Sequence, residues 1–411
     1  VGTVASIAAG QPTACQTANG PDVTVGSLMA AANGNDTTGN MQNYTATGGF
    51  DAFSMGTYSL NVGKVWVNWF QTTNQHPVIG QNCFKYKVVN GAGRFEQLGQ
   101  SWLKHGFFAL SDTVWCPVCT STDGTHLGVG CSDPYTANRN GGQSGAGPKW
   151  QVNAHTGAFT YPPANPAFSG TMARRLAVST ADLEPSSAAV RFFGEGQYVS
   201  PDDALAGNQN NNVSYRELTV AGTTDFTFSF TAGNTTKREL PAIKAWKTID
   251  PSVTETTFDI PSDGRIIVSS KATDLGGGTW HYEYAVYNMN SDQCIGTFSV
   301  PVPDSASVTN IGFRDVSYRD GDGIGNVNID GTDWPSSRAS NTITWTTSTF
   351  AANANGNSIR WGTMYNFRFD ANVAPAASGN ASMSTWKVVN SYNVAAQIPG
   401  AGSPTACYAN C

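Results

Sequence analysis

Asp225–Thr231, DFTFSFT, alternates Phe226, Phe228 and Phe230 with Thr227, Ser229 and Thr231. Successive side chains of an extended strand point to opposite faces, so one face of this segment is core and the other is wet. The same period of two runs through Asn341–Thr347 (Ile343, Trp345), Tyr365–Asp370 (Tyr365, Phe367, Phe369) and Trp280–Tyr287. Turn clusters at Asp274–Gly278, Asn288–Asp292 and Asp320–Gly325 punctuate these strands. Short alternating strands between turn signals predict a mainly β chain, with an antiparallel, immunoglobulin-like β-sandwich over residues 237–372.

Residues 1–236 read as a second, loop-rich β domain. Val65, Val67 and Trp69 alternate there with Trp66, Asn68 and Phe70, a pattern expected of a strand buried on both faces. Arg94–Leu110 fits neither the helical nor the strand period. Helix is a minor component: Ser200 is placed to cap one, Pro201 to occupy its first position, Asp203 to close a capping box and Gly207 to end it. Residues 373–411, rich in Ala, Ser, Gly and Pro, read as a tail tied down by Cys407 and Cys411.

Only 13% of the 411 residues are charged, against ~25% in an ordinary soluble domain. With few Lys and Glu the exposed faces are built from Thr, Ser, Asn and Gly, which suits strands and turns better than surface helices. The net charge of -6 and the scattered Lys and Arg argue against a nucleic-acid partner, which requires a concentrated basic face. No apolar run approaches the ~20 residues of a membrane span. Eight cysteines, an even set, point to disulfides and an oxidising compartment, hence a secreted, extracellular or cell-surface protein. The chain begins at Val1 without a leader, as expected of a processed, exported product.

Candidate chemistry is sparse. Cys116, Cys119, His126 and Cys131 have a spacing near that of a zinc knuckle, although an oxidising exterior favours disulfides over thiolate ligands. His76, His105 and His281 are the histidines to test as a metal centre assembled from distant strands. His281 shares a strand face with Glu283 and Tyr287, a row suited either to acid–base work on a sugar or to a hydrogen-bonded outer face. Asn326, Asn328 and Asp330 repeat the oxygen spacing that opens a calcium loop, with Asp320 and Asp322 beside them, but Ser337 stands where a bidentate Glu is needed. Calcium is the ion expected, with zinc or copper behind it. Glu195, Asp202, Glu217, Glu283 and Asp315 are carboxylates that folding could pair as in a glycosidase.

NQHPVIGQNCF (74–84), SWLKHGFFALS (101–111), LGVGCSDPY (127–135), SPDDALAGNQNNNVSYR (200–216), DLGGGTWHYEYAVYNMNSD (274–292) and RWGTMYNFRFDA (360–371) together resemble a group of exported proteins from planctomycete-like environmental bacteria. The resemblance spans most of the chain and implies export. The group has no assigned activity, so it implies no catalytic role.

These observations rank an extracellular structural or assembly-forming protein first: a surface-layer, matrix or filament subunit whose partner is a second copy of itself. The uncharged run Val1–Ala9 is the candidate for strand pairing with a neighbour. A secreted carbohydrate-active enzyme or a glycan-binding protein is the alternative.

Overall fold

The computed structural model describes residues 15–28, 41–143, 147–163, 170–172, 174–325 and 327–400. Val1–Ala9, Asn326, Cys407 and Cys411 lie outside the described residues, and with them the expectations placed on those positions.

The architecture is layered β. A nine-stranded antiparallel sheet runs in the order Thr227–Phe230, Val213–Ala221, Val190–Val199, Val78–Val89, Ala92–Gln100, Leu176–Ser179, Phe50–Met55, Met41–Thr47, with the short strand Lys104–His105 beside Val78–Val89. Asn90 and Gly91, both with positive φ (50° and 85°), form the two-residue turn that folds Val78–Val89 onto Ala92–Gln100. A three-stranded sheet of Val23–Ser27, Thr57–Asn61 and Ser132–Tyr135 joins the N-terminal region.

The antiparallel sandwich follows. One of its sheets orders Thr254–Asp259, Arg265–Gly276, Thr279–Asn288, Thr363–Ala371 and Val308–Arg314. The other orders Ser336–Ala339, Thr342–Thr346, Ile295–Pro301, Asn380–Thr385 and Ser391–Ala395. Its last two strands come from the stretch whose composition reads as a tail. Ala381, Met383, Thr385 and Val394 supply their buried face, and Asn380, Ser382, Ser384, Ser391 and Asn393 alternate with them.

Periodicity explains the layering. Tyr282, Tyr284 and Val286 point into the sandwich with Phe298, Trp345, Phe367 and Phe369. Ala285 and Tyr287, on the opposite face of the same strand, join Ile267 and Met364 against Phe84, Phe95, Phe193 and Tyr215 of the nine-stranded sheet and Trp246 of the helix Lys244–Ile249. The sandwich is therefore docked on the N-terminal sheet through a seam that buries a third layer of apolar side chains. Burial of this kind contributes ~25 cal/mol per Å2 of apolar surface.

Two local expectations are corrected and one open segment is settled. Only Val67–Asn68 forms strand in the Val65–Phe70 segment; Trp66 is 54% exposed, and Val65 and Phe70 also face solvent. Arg94–Leu110 resolves into strands Ala92–Gln100 and Lys104–His105, not helix. The helix Pro201–Leu205 forms, but Ser200 makes no capping bond and Asp203 closes no capping box. Instead the Asp203 carboxylate accepts bonds from Val23 N (2.8 Å) and Asn212 Nδ2 (2.8 Å), pinning the Val23–Ser27 strand from 180 residues away.

Candidate functional site

The most elaborate polar constellation lies where the Asn90 turn overhangs the sandwich. His281 stands opposite Asp370 in register, and Glu283 opposite Arg368. His281 Nδ1 bonds Asp370 Oδ1 at 2.6 Å, and its Nε2 bonds Glu283 Oε2 at 3.1 Å. Burial opposes charge on this imidazole, but Glu283 and Asp370 outweigh it and raise its pKa. Both ring nitrogens are thus committed to carboxylates, leaving neither to take a substrate proton or ligate a metal. The face that His281 shares with Glu283 and Tyr287 is hydrogen-bonded, but it is the inner face toward the N-terminal sheet rather than an outer one, with Glu283 and Tyr287 buried.

Arg94 reaches across from the N-terminal sheet and donates to Glu283 Oε2 at 3.0 Å. Glu283 Oε2 is therefore shared by Arg94 and His281 while its Oε1 is buried without a hydrogen bond, and among the described residues Arg368 has no carboxylate within ion-pair distance. Its guanidinium rests on Gly312, where a Cβ would stand 2.6 Å from Nε. A β-bulge between Thr309 and Gly312 makes that room, and Asn310 within it has φ +52° while donating to Asp370 Oδ2 at 2.6 Å. Arg94, Arg368, His281, Asn310 and Asp370 line a cleft of about 330 Å3. A second cleft, of about 280 Å3, shares the two arginines and adds Lys87, Arg314 and Asp315.

Sequence reasoning found His281 and Glu283 but missed Arg94, Asn310, Arg368 and Asp370. Two signals were present: the Asn90-Gly91 turn folds Arg94 back along its partner strand, and alternation in Tyr365–Asp370 puts Arg368 and Asp370 on the face opposite the aromatics.

The other candidates disperse. His76 and His105 do meet, with His76 Nε2 2.9 Å from His105 Nδ1 and His76 Nδ1 donating to Phe70 O at 3.1 Å. Burial drives both toward the neutral form, His105 to a pKa of about 4 with help from His76 and Lys104. His281 belongs to a different constellation. In the acidic loop, Asp322 accepts Trp102 Nε1 (2.7 Å) and Arg319 N (2.8 Å). Asn328 bonds Asp320 and Gly321, and Asp330 bonds Thr332 and Asn353. Among the described residues no three His, Cys, Asp or Glu side chains group as metal ligands. The zinc-like spacing is taken apart by disulfides: Cys15 pairs with Cys116 and Cys119 with Cys131. Cys83 and Cys294 are buried thiols.

Those disulfides hold a different feature. His126 lies between Trp66 (4.9 Å) and Phe70 (5.0 Å), and the Phe108 ring covers Gly124. Bonds from Ala109 N to Gly124 O and Trp69 N to Thr125 O, with Thr122 N donating to Ser111 Oγ at 3.4 Å, tie the three loops together. Trp66, Phe70, Phe107, Phe108, Leu110 and Val118 are all exposed on them, Phe108 by 59%.

No protein-family model matches the chain, and no curated protein is similar to it. Among solved structures it is matched to a serine-rich repeat adhesion glycoprotein of Streptococcus agalactiae, with 10% identity over 86% of this chain and 89% of that one, at a TM-score of 0.21. So low a TM-score carries no argument about function. Among the described residues no helix is long and apolar enough to cross a membrane.

Proposed function

We propose that this chain is an extracellular, contact-forming β protein, an assembly subunit that meets a second copy of itself through the disulfide-braced loops. The carrying observation is the exposed set Trp66, Phe70, Phe107, Phe108, Leu110 and Val118. Exposed apolar side chains scattered singly are ordinary; a cluster of them on cross-linked loops signifies a binding surface. Its mixture of aromatic and aliphatic side chains suits a protein partner better than a sugar, which calls for aromatic faces interleaved with hydrogen-bonding groups. The disulfides support an oxidising, extracellular setting.

Sedimentation of the purified protein tests this. Wild type is expected to associate at micromolar concentration, and Trp66→Ser with Phe108→Ser to sediment as a folded monomer. A monomeric wild type, or a variant that associates as before, overturns the reading.

The glycan-binding alternative is favoured by a separate observation, Arg368 over Gly312 with no carboxylate partner among the described residues. A guanidinium with free donors in a cleft of saccharide size suits a carboxylate or sulfate group on an acidic glycan. Binding of an acidic oligosaccharide that is lost in Arg368→Gln, with association unchanged, would move the function to this cleft.

A further inference from the structure

The seam buries a lysine, an asparagine and a glutamate against one another. Lys149 is 2% exposed, Asn82 1% and Glu195 0%. Asn82 and Glu195 are direct neighbours across strands Val78–Val89 and Val190–Val199. Asn82 Nδ2 contacts Glu195 Oε1 at 2.7 Å, and Lys149 Nζ donates to Asn82 Oδ1. Glu195 is fixed from two further directions: Tyr287 OH donates to Oε1 at 2.8 Å and Ala242 N to Oε2 at 2.7 Å.

The lysine has a passage made for it. A Cβ on Gly80 would stand 3.2 Å from Lys149 Cε, and one on Gly362 2.9 Å from Nζ. Gly362 O accepts a second bond from Nζ at 3.3 Å, and the Trp361 ring lies 5.8 Å away. Among the described residues no carboxylate comes within ion-pair distance of this amine. An ammonium buried without a counter-ion is expensive, so the site favours the neutral amine, which is a nucleophile. Burial pushes the Lys149 pKa down to about 7 and that of Glu195 up, toward a neutral carboxylic acid.

We propose that Lys149 and Asn82 condense to an intramolecular isopeptide bond, with Glu195 as the proton-transfer group. The Nζ lone pair attacks Asn82 Cγ, the atom bonded to the Oδ1 that Nζ already contacts, and an Nζ–Cγ bond forms. The Cγ–Nδ2 bond breaks. Glu195 passes its proton to the departing Nδ2 and regains one from Nζ, so that ammonia leaves and the glutamate ends as it began. Amine and carboxamide give secondary amide and ammonia, with no oxidant, metal or activating cofactor. Attack on a primary amide is slow in water; here nucleophile, amide and acid are held together by strands packed on every side. The product ties Asn82 to a residue 67 positions away. It is an additional cross-link that reducing agents leave intact, and it is independent of the self-association reading.

Mass spectrometry of the full chain, reduced and denatured, tests it. Wild type is expected to be lighter than its sequence by about 17 Da, one ammonia. A proteolytic digest is expected to yield a branched peptide joining Lys149 to Asn82. Glu195→Gln, checked to be folded by its near-UV circular dichroism, and Lys149→Met are expected to show the full sequence mass and no branched peptide. Recovery of both wild-type peptides unlinked, with no mass loss, overturns the proposal. A Glu195→Gln chain that condenses as completely as wild type overturns the role given to Glu195.

Discussion

Removing Cys15–Cys116 is expected to destabilise the protein more than removing Cys119–Cys131, and the loops they close set the difference. The first bond joins residues 101 apart and the second residues 12 apart. Chain-entropy arguments give ~4.7 kcal/mol for the longer loop and ~2.8 kcal/mol for the shorter, a gap of about 2 kcal/mol. The packing cost of the substitutions nearly cancels in this comparison. Each pair has one buried sulfur, Cys116 or Cys131, and one half-buried partner, Cys15 or Cys119. The comparison is therefore between Cys15→Ala/Cys116→Ala and Cys119→Ala/Cys131→Ala, by urea titration at neutral pH. The former is expected to lower the unfolding midpoint further. Equal losses, or a larger loss for the 12-residue loop, would show that these bonds act by holding native loop geometry and would refute the entropic account.

Acid is expected to weaken the His76–His105 pair: with His105 lowered from 6.5 to about 4, its stabilisation of ~3 kcal/mol is complete above pH 6.5 and is lost as pH falls toward 4. His105→Gln should flatten that part of the stability–pH curve, and an unchanged slope counts against it. His281 carries the opposite sign, because its folded pKa is raised: its contribution is full below about pH 6.5 and is lost as pH climbs through the folded value. His281→Gln is expected to remove that alkaline loss, and a curve parallel to wild type contradicts the clamp between Asp370 and Glu283. Burial raises both remaining core thiols, Cys294 to about 11. Iodoacetamide is accordingly expected to label Cys83 and Cys294 only after denaturation, and peptide mapping that finds either modified in the native protein refutes this.

The sheets were legible where strands show two unlike faces: Phe226, Phe228 and Phe230 of the nine-stranded sheet are buried while Thr227 and Ser229 are exposed, and in the sandwich Ile343 and Trp345 are buried while Thr346 is exposed. Where a strand is buried on both faces the signal fades. Ala92–Gln100 places Phe95 in the seam and Leu98 in the opposite core, yet buries Glu96, Gln97 and Gln100 as well, so no clean period survives. The converse error arose at Val65–Phe70, where alternating apolar residues imitate a buried strand although Trp66 and Phe70 lie on the surface. Hydrophobicity reports a preference to leave water, and a partner surface satisfies that as well as a core. Asp203 looked like a capping residue because its helix is adjacent in sequence; its actual donors sit on Val23 and Asn212. The Lys149, Asn82 and Glu195 cluster had no sequence signal, since its members are 67 and 113 positions apart.

The seam explains why so many buried polar groups gather in one plane. Two sheet faces joined by apolar contacts alone would tolerate a shift in register. Here directional bonds span the joint. Gln97 donates to Gly362 O and accepts from Met364 N, Asn366 donates to Phe95 O, Gln197 to Met289 O, and Tyr287 to Glu195. Each holds one strand of the nine-stranded sheet at a fixed position over the sandwich, and the bond from Arg94 to Glu283 does the same at the edge. A buried donor or acceptor left unpaired costs ~1–3 kcal/mol, so a slip of one residue would break several of these bonds and carry their combined penalty. Lys149 enters this same joint between the two halves, bonding Asn82 on one side and Gly362 on the other. Load applied across the seam therefore meets a set of bonds that must fail together.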